Sequence, residues 1–214
     1  RVPVSLHAGR AAVEIGYNRY GDAFTQEIVP WVNVLEARTE DGKTLGVLFE
    51  HAAHPVITLE CGAISADFPA YAVKRISEEI GNEVVSLFAQ GCCGNINGDP
   101  VGFSIQSGWH EKAEEAGRKL GDAVLAAMRE SSEIGAGKLA IRSKTIMLPC
   151  HLPPIEEWKE TLRRLKTDER IEVWQDVSAS MKSLEIVRGM MERGEQPELP
   201  FDITTVMLES EWCL

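Results

Sequence analysis

The chain has 214 residues, 44% of them hydrophobic and 26% charged, a balance that suits a packed globular protein and excludes disorder as its main state. No apolar run reaches the roughly 18 residues of a membrane-spanning helix. With 22 basic and 33 acidic residues the net charge is −11; such a surface repels nucleic-acid backbones and anionic membranes, and no Lys/Arg cluster with interleaved aromatics offsets this.

Strand and helix patterns alternate along the chain. Residues 32–37 read as a strand, Glu40-Asp41-Gly42-Lys43 as a turn and 45–50 as a second strand, a spacing that predicts an antiparallel hairpin. Ser65 or Asp67 can cap the next element, a helix that takes Pro69 into its first turn, carries Tyr71, Val73, Ile76 and Ile80, and stops near Gly81-Asn82. Residues 84–89 are nearly all apolar, as in a sheet interior. The following segment, 90–100, is too rich in Gly and Asn to predict regular structure. Ser107 can cap a helix with Ala113, Ala116, Leu120, Val124 and Leu125 on one side, ended by the Gly135–Gly137 region; a long strand over 139–148 follows.

From Pro153 the pattern changes to charged amphipathic helices over 155–166 and 171–193, then a Pro-rich exit and a strand-like run over 202–208. The expected fold class is α/β: a mixed β-sheet layered with helices, forming an incomplete single domain across 1–214 with a helical hairpin inserted at 153–196. Arg1 opens the chain in place of Met with no leader pattern, and 212–214 follow directly on the last strand. We therefore expect an internal piece of a longer protein, with its compartment and oligomeric state left open.

The densest chemical feature is His51-Ala52-Ala53-His54-Pro55 at the end of the second strand. Odd spacing on a strand sends the two imidazoles to opposite faces, so at most one points into a site. His54, next to a proline that breaks the ladder, sits where active-site loops begin; a satisfied structural histidine is the plainer alternative. Asp67 offers a catalytic or histidine-orienting carboxylate, against the simpler reading of a helix cap. Gly91, Gly94 and Gly98 would let backbone N–H groups approach a ligand. Cys92 and Cys93 invite a thiol nucleophile, but no partner histidine follows from spacing, and small packed residues explain them better. The five cysteines are odd in number, irregularly spaced and lack CxxC, which is neither a disulfide framework nor a zinc knuckle. Arg19, in Tyr17-Asn18-Arg19, reads on its own as a surface ion-pairing residue.

Taken in order, these pieces resemble the neutral/alkaline (non-lysosomal) ceramidase family. The likeness rests on Asn18-Arg19, Ala53-His54-Pro55, the segment from Ser65-Ala66-Asp67 to Ala72, and Phe88-Ala89-Gln90 with its glycine loop, and covers about 16–100. It implies a zinc-dependent amidohydrolase with a small-molecule or lipid acyl substrate, in a family often secreted or membrane-associated. Carried across, His54 falls on a zinc ligand, Arg19 on an arginine near the polar head of the substrate, and Asn97 on the position of the catalytic serine, since Gly94-Asn95-Ile96-Asn97 stands where the family has Gly-Asp-x-Ser. Asn97 cannot be a nucleophile. The resemblance therefore implies metal-activated water at an amide or related acyl bond, with Arg19 and Asn97 as catalytic residues and Zn2+ held by His54. The remaining ligands are expected outside this chain, so that by itself it should be inactive. A ceramidase-fold protein that only binds is the alternative.

Overall fold

A computed structural model describes residues 2–19, 28–59, 61–102, 105–135, 138–150, 154, 156–157, 159–160, 163, 177–208 and 212–213. The chain divides into two compact units, one of Arg1–Leu139 with Met207–Cys213 and a second of Ala140–Val206.

The first unit is a sheet layered with two helices. Strands β1 (Ser5–Ala12), β3 (Trp31–Arg38), β4 (Thr44–His51), β5 (Val85–Gln90) and β7 (Ser132–Ile134) form one sheet in the order β5-β4-β3-β1-β7. The hairpin expected from the sequence is β3–β4, antiparallel with a register shift at Ala37/Arg38. Strand β5 lies parallel to β4, with Phe49 opposite Phe88 and His51 opposite Gln90. Helix α1 (Asp67–Ile80) makes the crossover between them, as a parallel pair requires. A second, small sheet pairs β2 (Gly16–Asn18) with β6 (Ile96–Gly98).

Alternation along β3 and β4 buries Val32, Val34 and Glu36, and Val47, Phe49 and His51, on the face that meets Phe68, Ala72 and Ile76 of α1 and Ala113, Ala116, Leu120 and Val124 of α2 (Trp109–Arg129). Each large apolar side chain removed from water here contributes about 1.5–3 kcal/mol. Phe88 adds aromatic contacts to Phe49 and Phe68, with ring centroids 5.5 and 6.0 Å away. Glu36, buried on this face, is neutralised by Arg38 at 2.6 Å, and the pairing holds the guanidinium pKa above its ordinary value. The opposite face carries a polar chain in which Arg10 Nε donates to Asn33 Oδ1 (2.7 Å) and Asn33 Nδ2 donates to Glu50 Oε2 (2.6 Å).

The expected α/β class is present, and several local expectations are corrected. The apolar run expected as an interior strand over 84–89 forms β5 at residues 85–90, one edge of the described sheet, with Val85 and Leu87 exposed and Phe88 half-buried; the run packs one face and leaves the other open. Segment 90–100 contains the regular strand β6. Ser107 does not cap α2: Gly108, in the left-handed region at φ 78°, precedes the first helical residue, and no side chain caps the helix. That helix ends at Arg129, short of the glycines near 135, because Ser132–Ile134 are drawn into the sheet as β7.

In the second unit β8 (Leu139–Pro149) and β9 (Glu198–Leu208) are neighbours; β10 (Trp212–Cys213), which belongs with the first unit, pairs antiparallel with the end of β9 at Met207 and Leu208. Ser143 and Thr204 hydroxyls meet at 2.8 Å and Thr145 donates to Asp202 at 2.6 Å. Helix α3 (Val177–Glu192) falls within the second expected helix, whose first six residues lie outside the described ones. Of the first, 155–166, only Glu156, Glu157, Lys159, Glu160 and Arg163 are described, all helical.

Helices α1 and α2 pack through a small residue. A Cβ added at Gly117 would stand 2.4 Å from the Phe68 carbonyl oxygen and 2.5 Å from Tyr71 Cβ, so the helices must separate to admit it. Gly117→Ala is expected to cost about 1–3 kcal/mol, measured as a lower urea midpoint with unchanged slope; an unmoved midpoint would mean that the two helices do not meet this closely.

Candidate functional site

Parallel strands release their loops at the same end. The segment after β4, which carries His54, and the segment after β5, which leads to Asn97, both leave at the carboxyl edge fixed by the His51–Gln90 register, the edge where open α/β sheets place ligands. They join through main chain. His54 N–H donates to Ile96 O (2.9 Å) and Gly98 N–H donates back to His54 O (3.0 Å), forming a parallel bridge between His54 and Asn97.

The other edge of β6 is held by β2, with Tyr17 opposite Asn97 and Asn18 opposite Ile96. The strands approach so closely at Gly16 that a Cβ there would lie 2.7 Å from Asn97 O. One residue beyond β2, Arg19 N–H donates to Asn95 O (2.9 Å) and Arg19 Nε donates to Gly94 O (3.1 Å). Arg19, His54 and Asn97 therefore all hang on one five-residue stretch, Gly94 to Gly98. Asn97 is buried, His54 half-buried and Arg19 exposed. Arg19 thus does more than meet solvent: its main chain and its guanidinium both fasten the loop.

The two histidines differ. His51 ends β4 on the helix-facing side and is fully buried. Its Nδ1 accepts the Ala53 N–H at 2.9 Å, and its Nε2, also buried, makes no well-formed hydrogen bond. Burial pushes its pKa down to about 4, with the nearby Val13 backbone acting in the opposite sense. His54 lies past the last residue of β4, so strand alternation does not govern it; the bridge to Asn97 does. Its Nδ1 is buried without a partner. Gln90 Nε2 braces the same turn, donating to His51 O and Ala53 O, both at 3.2 Å. Gln90 enters the sequence reading only as part of Phe88-Ala89-Gln90, with no role of its own, since its bracing contacts depend on a turn nearly forty residues earlier in the chain.

Asp67 takes the structural role. Oδ2 accepts from both the N–H (2.6 Å) and the hydroxyl (2.7 Å) of Thr58, and Oδ1 accepts the Phe68 N–H (2.8 Å). Its backbone sits at φ 54°, a left-handed conformation that Asp tolerates better than most residues. With these donors engaged, the carboxylate ties the Thr58 turn to the start of α1. Cys61, Cys92, Cys93 and Cys150 are free thiols.

The fit to a metal is limited to a single arm. Among the described residues no group of three or more His, Cys, Asp or Glu side chains is arranged to hold an ion. The His54 ring, with an orphaned nitrogen, suits one ligand position and no more. A cavity of about 350 Å³ lies beside β2, lined by Glu14, Ile15, Gly16, Asp99, Pro100, Lys112, Glu115, Ala116 and Lys119. None of Arg19, His54 or Asn97 lines it, and its charged wall is a poor match for an acyl chain. Among the described residues no helix is long and apolar enough to cross a membrane.

No protein-family model matches the chain, and no curated protein does. Among solved structures, the fold is similar to that of neutral ceramidase from Pseudomonas aeruginosa, with a TM-score of 0.61 at 17% identity over 97% of this chain and 39% of that one. It is also similar to a ceramidase complexed with C2, with a TM-score of 0.57 at 19% identity over 68% of this chain and 25% of that one. The chain thus spans well under half the length of either, and at these identities the likeness is one of fold.

Two outcomes follow from the titratable groups. The unfolded chain protonates His51 near 6.5 and the native one only near 4, so native stability should fall as pH drops through that window, by up to about 3 kcal/mol. His51→Phe should remove that slope; a variant with the wild-type pH profile would assign the titration elsewhere. Asp67→Ala leaves buried donors without an acceptor and should cost on the order of 3 kcal/mol. Chemical denaturation measures this loss, and a near-neutral result would return Asp67 to the candidates for chemistry.

Proposed function

We propose that this chain is part of a ceramidase-like, zinc-dependent hydrolase that cleaves an amide or related acyl bond of a small-molecule or lipid substrate. One observation carries the reading: within a ceramidase-like fold, His54 and Asn97 are bridged through main chain, and Arg19 is fastened to the same loop. Three side chains that the sequence resemblance assigns to metal, substrate head and reacting carbonyl are thereby held on one short frame.

In this reading the His54 imidazole is one ligand, and the others come from residues outside this chain. Zinc, when bound, supplies Lewis-acid polarisation and makes water a nucleophile at neutral pH. Asn97 has no nucleophilic atom; its carboxamide N–H groups are suited to donate to the carbonyl oxygen as that oxygen gains charge, a type of contact worth about 10²–10³ in turnover. The Arg19 guanidinium, exposed beside the loop, binds and orients a polar group of the substrate. The division of labour leaves proton transfer and nucleophilic attack to water and groups beyond these three. The single partial domain with its 153–196 insertion belongs to the same proposal.

The competing reading is a ceramidase-fold protein that binds without turnover. It is favoured by Asn97 itself, a buried amide at the position where the resemblance places a serine nucleophile.

Metal analysis of the full-length protein separates the two. About one zinc per chain is expected, lost in His54→Ala; Asn97→Ala should then lower kcat on an acyl amide by about 10²-fold, while Arg19→Ala chiefly raises KM. Zinc-free protein would remove the hydrolase reading in favour of binding, and full zinc in His54→Ala would remove His54 from the ligand set.

A further inference from the structure

We infer that His51 is a positioning residue: its ring nitrogen and its carbonyl shape the turn that presents His54 to the Gly94–Gly98 loop. The inference rests on the reading of His54 as a functional ligand, but its geometry stands apart from any metal. The His51 ring accepts the N–H of Ala53, two residues on and wholly buried, at 2.9 Å. The His51 carbonyl accepts the Gly91 N–H (3.0 Å) and a side-chain N–H of Gln90 (3.2 Å), and Gln90 also reaches Ala53 O. Immediately beyond this turn come the two hydrogen bonds that join His54 to Ile96 and Gly98.

The ring's other nitrogen shows why packing alone does not account for a histidine here. Nε2 is buried without a well-formed hydrogen bond, only the Val13 backbone acting on the ring, a shortfall that an apolar ring of similar shape would avoid. A phenylalanine at this position would fill the core as well and leave Nε2's cost out of the native state. What it cannot do is accept the Ala53 N–H. The acceptor at Nδ1 is therefore the property that offsets the orphaned donor, and it requires the ring to be neutral, the form that its full burial favours. What acts on the ring is its burial and the Val13 backbone, with no carboxylate among them. Orienting partners of this kind change the metal affinity of the residue they support by about 10–100-fold.

The test uses the full-length protein and three variants, His51→Phe, His51→Asn and Gln90→Met, with two readouts. The first is amide exchange at His54 and Gly98, whose N–H groups form the bridge, referenced to Leu120 and Val124 in α2. The second is zinc affinity by chelator competition. His51→Phe should speed exchange at His54 and Gly98 by about tenfold or more while the α2 amides keep their rates, and weaken zinc by about 10–100-fold. His51→Asn, which keeps an acceptor near the place of Nδ1, should restore both to within about threefold. Unchanged exchange at the bridge, or equal acceleration at every amide, would overturn the proposal. Should His51→Phe fail to fold, Gln90→Met takes its place: faster exchange confined to the bridge supports the clamp, and wild-type rates overturn it. Wild-type protein without zinc would sink the hydrolase reading and leave the exchange result to decide this one. Zinc held equally well by wild type and His51→Phe would sink the positioning role and leave the hydrolase reading standing.

Discussion

The arrangement depends on a strand of three residues, Ile96–Gly98, held on both edges. On one side β2 pairs with it; on the other, His54 exchanges two backbone hydrogen bonds with it. Each such bond is worth only about 1 kcal/mol net, but a buried N–H or C=O left without a partner costs about 1–3 kcal/mol. The strand therefore cannot slide without orphaning groups on both sides at once. Asn97, at its centre, and His54, on its flank, are fixed relative to each other by main chain rather than by any contact between their side chains. Arg19 joins the same frame through the carbonyls of Gly94 and Asn95.

The larger sheet explains why these segments meet. Because β4 and β5 run parallel, with α1 returning the chain across the helix-facing side, their carboxyl ends open in the same direction. An antiparallel neighbour would have sent the glycine loop to the far end of the sheet. The core that keeps the two strands together is the Phe49–Phe88–Phe68 cluster under α1, and the close approach of α2 at Gly117 packs α1 onto it. Asp67 completes the connection: the carboxylate that starts α1 also holds Thr58, so the long segment leaving β4 is fastened at His51, at His54 and at Thr58 before it becomes helix.

Much of this was legible in the sequence. The β3–β4 hairpin, the apolar stripes of α1 and α2 and the long strand that became β8 follow from periodicity that the core enforces. What periodicity could not reach were elements defined by their partners. Strand β6 has no hydrophobic alternation and two neighbours rich in Gly and Asn; it is a strand because β2 and His54 lie on either side of it. Strands β2 and β7 are equally short and equally dependent on what lies next to them. His54 illustrates the same limit: alternation carries as far as His51, and past the strand end only the bridge to Asn97 sets its place. The expected cap at Ser107 fails for a related reason, since Gly108 precedes the helix in a left-handed conformation and no side chain caps it.

The main-chain character of the bridge bears on what the site can become. Tyr17, His54 and the residue at 97 are placed by N–H and C=O groups that every residue but proline possesses, so the side chain at 97 can change without disturbing the frame. A serine there and an asparagine there would occupy the same backbone. Around that frame stand a polar amide in a nearly closed position, an imidazole with a buried nitrogen that makes no hydrogen bond, and an arginine tied to the loop. In the hydrolase proposed above, the amide at 97 would stabilise charge on a carbonyl attacked from elsewhere; having no nucleophilic atom, it would not attack it. On that proposal water is the nucleophile, and further ligands on the His54 side of the bridge are the condition on which it turns.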